Sequence, residues 1–205
     1  MFDLSIDAQP DNWRLFNTRA NDVRFKEYAD YIFSRDEHKC QFCGFQSKVN
    51  MDIVNLNNDY GDNKTSNLVT ACPLCSQCKF IDMVGYTENT GGMIIYLPEI
   101  SQAQLNGLCH ALFASSNLGT EEHKITKDIM NNLKLRAKLV EKKFAKGVNK
   151  PSLLGQLMID TPMQNRESFY ELIRKHLRLL PDADAFKKCL YKWSVDSNTL
   201  QESAS

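Results

Sequence analysis

Apolar residues recur along this chain with more than one period, and the change of period organises it. Phe25, Tyr28, Ala29, Ile32 and Phe33 repeat at i, i+3, i+4, i+7 and i+8, which predicts an amphipathic helix capped by Asn21 or Asp22. Ahead of it, Trp13–Phe16 reads as a short strand after the turn residues Pro10, Asp11 and Asn12. Between Arg35 and Phe80 a knuckle (Cys40–Gly44), a polar loop (Asn57 to Asn67) and a second knuckle follow one another. Tyr86–Gly92 carries turn chemistry and Met93–Leu97 is a β-rich run ended by Pro98, so Phe80 to Leu97 is expected to form a hairpin.

From Ser101 onward the pattern turns helical. Leu105, Leu108, Cys109, Leu112 and Phe113 make one stripe, and Ile125, Ile129, Leu133, Val140 and Phe144 make another on a long helix closed by Gly147. Pro151 opens a short apolar segment through Ile159, Glu167 to Leu180 is a further helix before Pro181, and Ala183 to Val195 is the last. The polar tail Ser194 to Ser205 is expected to fray. The pattern predicts an α+β fold, with a metal-organised region and short strands over residues 1–100 and an all-helical region over 101–205 packed on it.

Composition narrows the class. A chain of 205 residues, 42% hydrophobic, is long enough to bury a core and too apolar to stay disordered. It has no apolar run of about 18 residues, and Met1–Pro10 lacks the basic-then-apolar profile of a secretion signal, so a soluble cytosolic chain is expected. The net charge is zero, which argues against a generic nucleic-acid binder. That zero hides an asymmetry: residues 1–100 carry 9 Lys+Arg against 14 Asp+Glu, a balance of −5, and residues 101–205 carry 16 against 11, a balance of +5.

Five of the seven cysteines fall in one stretch, a distribution that suits metal binding in a reducing compartment better than a disulfide framework. Cys40-x-x-Cys43 and Cys72-x-x-Cys75 each present two sulfurs from one compact turn, the arrangement required for a tetrahedral centre, and four thiolates suit zinc. Cys78 forms an alternative pair with Cys75 and stands in reserve as a ligand. A closed tetrathiolate leaves no position for water, so one zinc ion here is structural, worth on the order of 10 kcal/mol to folding. Its net charge of −2 takes the acidic half from −5 to −7.

Arg35-Asp36, Cys40, Cys43-Gly44, Asp52, Asn63, Asn67-Leu68, Cys72, Cys75 and Lys79 together resemble the zinc-bearing branch of the HNH endonucleases, a ββα-metal frame. In that frame the general-base histidine falls on Ile53, and the histidine that binds the catalytic metal falls on Ser76. Isoleucine can do neither acid nor base chemistry, and serine lacks the imidazole that the frame uses to bind the catalytic metal. Asn55 can hydrogen-bond without acting as a base, and His38 reads as a surface or packing residue.

A fuller resemblance covers almost the whole chain. Trp13–Phe16, Arg24–Lys26, Ile32-Phe33, Arg35-Asp36, Cys40–Phe45, Asp52–Leu56, Ser66–Cys72, Gly155–Asp160 and Leu179–Pro181 are similar to the IcmJ/DotN family of the Dot/Icm type IVB secretion system. The resemblance implies a noncatalytic adaptor in a coupling complex. It would bind the cytosolic C-terminal tail of the coupling ATPase and other subunits, serve effector translocation and virulence, and sit peripherally at the inner membrane through its partner. No nucleic acid, no direct membrane insertion and no catalytic residue are expected, and the zinc ligands are Cys40, Cys43, Cys72 and Cys75. The alternative is a metal-dependent HNH-type nuclease with a displaced active site. DNA binding without cleavage is disfavoured by the acidic half.

Two surface readings stay open. The basic residues Lys134, Arg136, Lys138, Lys142, Lys143, Lys146 and Lys150 suit a solvated helix face, or a contact with an acidic peptide or anionic lipid. Phe2, Phe42, Phe45 and Tyr60 are either exposed anchors for a partner or packing around the knuckles.

Overall fold

A computed structural model describes residues 1–115 and 120–202, with side chains described over 1–115 and 123–196. The fold is α+β. Helix α1 (Asn12–Ala20) replaces the strand expected at Trp13–Phe16. The reason is aromatic packing: residues three apart share a helix face but would oppose each other in a strand, and Trp13 and Phe16 both meet the Phe80 ring, with centroids 5.4 and 4.8 Å away. Helix α2 (Val23–Arg35) begins where Asp22 accepts the Arg24 amide at 2.9 Å. Its stripe packs as expected, with Ala29 and Ile32 buried against Ile53 and Leu68.

Strands β1 (Asp52–Asn55) and β2 (Leu68–Ala71) pair antiparallel, Asp52 opposite Ala71 and Asn55 opposite Leu68, and lead directly into the single turn of helix α3 (Pro73–Ser76). The Phe80–Leu97 segment is not a hairpin. Its strand β3 (Gly92–Tyr96) pairs instead with a strand from the far end of the chain, β4 (Leu177–Pro181). Gly92, at φ +149°, permits this approach, since a Cβ there would stand 2.2 Å from the Leu180 carbonyl oxygen.

Helices α4 (Gln102–Ser115), α5 (Thr120–Leu135), α6 (Ala137–Lys143), α7 (Pro151–Asp160), α8 (Met163–His176) and α9 (Lys187–Glu202) make up most of the second half. The single helix expected across Ile125–Phe144 is broken at Arg136. There the Tyr96 amide of β3 donates to the Arg136 carbonyl, and the Arg136 guanidinium holds the Tyr96 carbonyl and Glu99. The helix expected to run to Leu180 stops at His176, so the second half is not all-helical. All five residues of β4 are buried, and the guanidinium of Arg178 donates to the Ile100, Arg174 and Leu177 carbonyls at 2.6–2.7 Å. The last helix begins at Lys187, after a 3₁₀ turn, and runs to Glu202 through much of the tail expected to fray. Ser203–Ser205 lie outside the described residues.

One apolar core draws on both halves, from Leu4 and Ile6 through Val54, Phe80, Ile94 and Leu105 to Leu179, Phe186 and Trp193. Helix α7 presses on the 3₁₀ turn Ile81–Met83 so closely that a Cβ on Gly155 would lie 2.4 Å from the Asp82 amide nitrogen. Phe42 and Tyr60 are core residues, Phe45 is half-buried and Phe2 is exposed.

Candidate metal centre

The knuckles are built by local backbone hydrogen bonds. The Cys40 amide donates to the Phe45 carbonyl at 2.7 Å, the Gly44 amide returns to the Cys40 carbonyl at 3.0 Å, and Gly44 takes the left-handed φ of +81° that closes the turn. In the second knuckle Cys72 caps α3, and its carbonyl accepts the amides of Cys75 and Ser76, both at 2.9 Å. Strand β2 carries Cys72 to within reach of the first knuckle. The sulfurs of Cys40, Cys43, Cys72 and Cys75 all lie within 4.8 Å of one another, with Cys43 and Cys72 at 3.6 Å. A tetrahedron with zinc–sulfur bonds of about 2.3 Å has edges of about 3.8 Å, so the donor set is compatible with zinc.

Three of the four thiols are fully buried and Cys43 is partly open. Burial pushes Cys72 and Cys75 well above the usual thiol range, whereas hydrogen bonds from Cys40 and the other thiols pull Cys43 down. Four such groups cannot all ionise side by side without a cation between them. Cys78 stands apart: its Sγ faces the Leu74 carbonyl at 3.4 Å, and burial raises its pKa to about 12.

Helix α4 closes the cluster from the side. His110 Nε2 lies 3.2 Å from Cys72 Sγ, and Asn106 Nδ2 lies 3.2 Å from Cys75 Sγ. The His110 ring stacks on Phe45 at 3.9 Å and packs against Trp193 of α9 at 5.2 Å. Sequence reasoning missed both residues. The available signal was the row Gln102, Asn106, His110, polar side chains four apart on a helix whose other residues at that face are apolar.

The residues of the endonuclease-like frame have other partners. Asp52 accepts a 2.5 Å hydrogen bond from Ser76, and burial raises its pKa to about 6, against the opposing effect of that bond. The pair borders a cavity of about 150 Å³ walled by Trp13, Phe16, Phe80 and Cys189. Ile53 packs into the core of α2. Asn55 and Asn63 accept from Arg19 Nη1 at 2.7 and 2.8 Å, and Arg19 Nη2 reaches the Ile53 carbonyl at 2.8 Å, so these groups fasten α1 to β1. Asn67 closes the polar loop onto Asp62 and Asn57. Arg35 holds the Leu68 carbonyl at 2.7 Å, while Asp36 accepts the Thr70 amide at 2.8 Å. Lys79 is buried, which lowers its pKa, and its ammonium lies 5.6 Å from the Phe42 ring. His38 packs on Phe33 and His176 on Tyr96.

No protein-family model matches the chain. It is 45% identical over 195 residues to the type 4 apparatus protein DotN of Legionella pneumophila, an alignment spanning 95% of this chain and 91% of that one. The chain belongs to the IcmJ/DotN family. Most of the relative's length aligns here, so the four-cysteine knuckles and α4 of this DotN-family chain lie inside the matched region rather than in an appended module. Among the described residues no helix is long and apolar enough to cross a membrane.

Proposed function

We propose that this chain is a noncatalytic, zinc-stabilised adaptor subunit of a type IV secretion coupling complex. It binds the cytosolic tail of the coupling ATPase, assists effector recruitment, and is held at the inner membrane by that partner. The near full-length likeness to DotN carries the reading. Two features of the chain support it. The ligand set Cys40, Cys43, Cys72 and Cys75 suits one structural zinc with no place for a reacting water. The frame positions that would need histidines hold Ile53, packed in the core, and Ser76, bound to Asp52. In this reading residues 1–100 are an HNH-like zinc region and 101–205 a helical region packed on it, joined by the β3–β4 pairing.

Bound zinc would tie the two knuckles together, and the folded chain would supply a rigid surface on which a tail that orders on binding can spread. The test is a pull-down of the zinc-loaded chain by the isolated C-terminal tail of the coupling ATPase. Retention at micromolar concentration is expected. No retention with zinc present refutes the adaptor reading. DNA cleavage with Mg²⁺ or Mn²⁺ that is lost on Asp52→Ala establishes the nuclease alternative instead.

A further inference from the structure

We infer that His110 and Asn106 of α4 are positioning residues of the zinc centre, donating N–H hydrogen bonds to the thiolates of Cys72 and Cys75 and tying metal occupancy to the packing of β4 and α9. The inference rests on the four-cysteine zinc reading. Four thiolates around one Zn²⁺ carry a net charge of −2, and Cys40, Cys72 and Cys75 are inaccessible to water. Buried anionic sulfur needs donors from the protein, because nothing else can solvate it. Helix α4 supplies two at 3.2 Å, one to each of two fully buried ligands.

The orientation of Asn106 follows from a relay that begins on the backbone. The Leu179 amide of β4 donates to Gln102 Oε1 at 2.8 Å, which turns Gln102 Nε2 toward the Leu179 carbonyl (2.8 Å) and Asn106 Oδ1 (2.9 Å). Asn106 must then aim its NH₂ group at the Leu74 carbonyl (3.0 Å) and at Cys75 Sγ. A backbone group that can only donate thus sets both carboxamides, and the last of them meets sulfur with hydrogen. Gln102 and Asn106 are both buried, so water does not compete for any step. His110 is held otherwise, its ring stacked parallel to Phe45 (interplanar angle 3°) with Trp193 alongside, which keeps Nε2 on Cys72. Outer groups of this kind commonly change metal affinity 10–100-fold.

The experiment uses the full chain loaded with zinc or cobalt. His110→Phe keeps a ring against Phe45 and Trp193 and removes the N–H, His110→Gln restores a donor without the ring, and Asn106→Asp keeps the acceptor for Gln102 while turning a carboxylate toward Cys75. His110→Phe and Asn106→Asp should each give up zinc to a chromophoric chelator at least about tenfold more readily than wild type. In the cobalt-loaded His110→Phe protein the thiolate-to-cobalt charge-transfer band should move to longer wavelength, since a thiolate without its hydrogen bond gives up an electron more easily. His110→Gln should recover much of both properties. Wild-type zinc release and an unshifted band in a folded His110→Phe protein overturn the inference while leaving the zinc reading intact. A wild-type chain that takes up neither zinc nor cobalt refutes the zinc reading, and the inference with it. If Asn106→Asp fails to fold, the His110 pair alone decides.

Discussion

Replacing Asp52 with asparagine should stabilise the protein at neutral pH and leave it nearly unchanged in acid. The carboxylate accepts one hydrogen bond, from Ser76, and no cation lies within salt-bridge distance of it among the described residues. Burial therefore raises its pKa from 3.8 to about 6 in the fold. Well below pH 3.8 the group is protonated whether the chain is folded or not, and it costs nothing. As pH rises toward 6 the unfolded chain ionises first and the fold loses ground. Above 6 the full penalty applies, about 3 kcal/mol for that difference in pKa, and about 2 kcal/mol once the carboxylate's remaining contact with water is allowed for. Asparagine removes the penalty and can keep the Ser76 bond. Urea unfolding of both zinc-loaded proteins at pH 7.5 should show Asp52→Asn ahead by about 2 kcal/mol, with about half that advantage left at pH 5. Protonation of the zinc thiolates in acid affects both proteins alike and cancels in the comparison. An Asp52→Asn protein that is less stable at pH 7.5, or an advantage that does not vary with pH, would sink the argument: the carboxylate would then be paired with a cation, a bound metal included.

If the four-cysteine cluster holds zinc, its binding is coupled to folding of the knuckles, and Cys40→Ser should lose zinc and solubility together, whereas Cys78→Ser should keep stoichiometric zinc by elemental analysis, its thiol being turned to the Leu74 carbonyl. Gly155→Ala places a methyl 2.4 Å from the Asp82 amide nitrogen and should cost about 1–3 kcal/mol in urea unfolding by forcing α7 off the Ile81–Met83 turn. If the exposed lysines of α6 receive an acidic stretch of the ATPase tail, tail binding should weaken steeply with salt, and reversing Lys142 and Lys143 to glutamate should abolish that sensitivity; binding that ignores both salt and reversal points to an apolar contact.

The features legible in the residues are those whose physics is local. A C-x-x-C turn brings its own two sulfurs together through hydrogen bonds spanning three to five residues, so both knuckles are legible in the sequence. The α2 stripe likewise depends only on helical period, and the mismatch of Ile53 and Ser76 with nuclease chemistry follows from side-chain type. Where tertiary partners outbid local preference, the reading failed. Trp13–Phe16 is helical because Phe80 offers one face to both rings, and the helix expected past Lys134 breaks because β3 takes the Arg136 carbonyl. Leu177–Pro181 leaves the helical pattern because a strand more than 80 residues earlier in the chain pairs with it. The same holds for the surroundings of the cysteines. His110 and Asn106 reach sulfur from 38 and 31 residues downstream, across a core that only the assembled chain possesses. The sequence by itself narrowed the possible metal donors to five cysteines, because paired sulfurs are neighbours along the backbone, and the fold then gathered Cys40, Cys43, Cys72 and Cys75 and left Cys78 on the Leu74 carbonyl. Only the tertiary structure decided what lies behind those ligands, because a helix stripe shows which residues turn inward but not which buried group they meet.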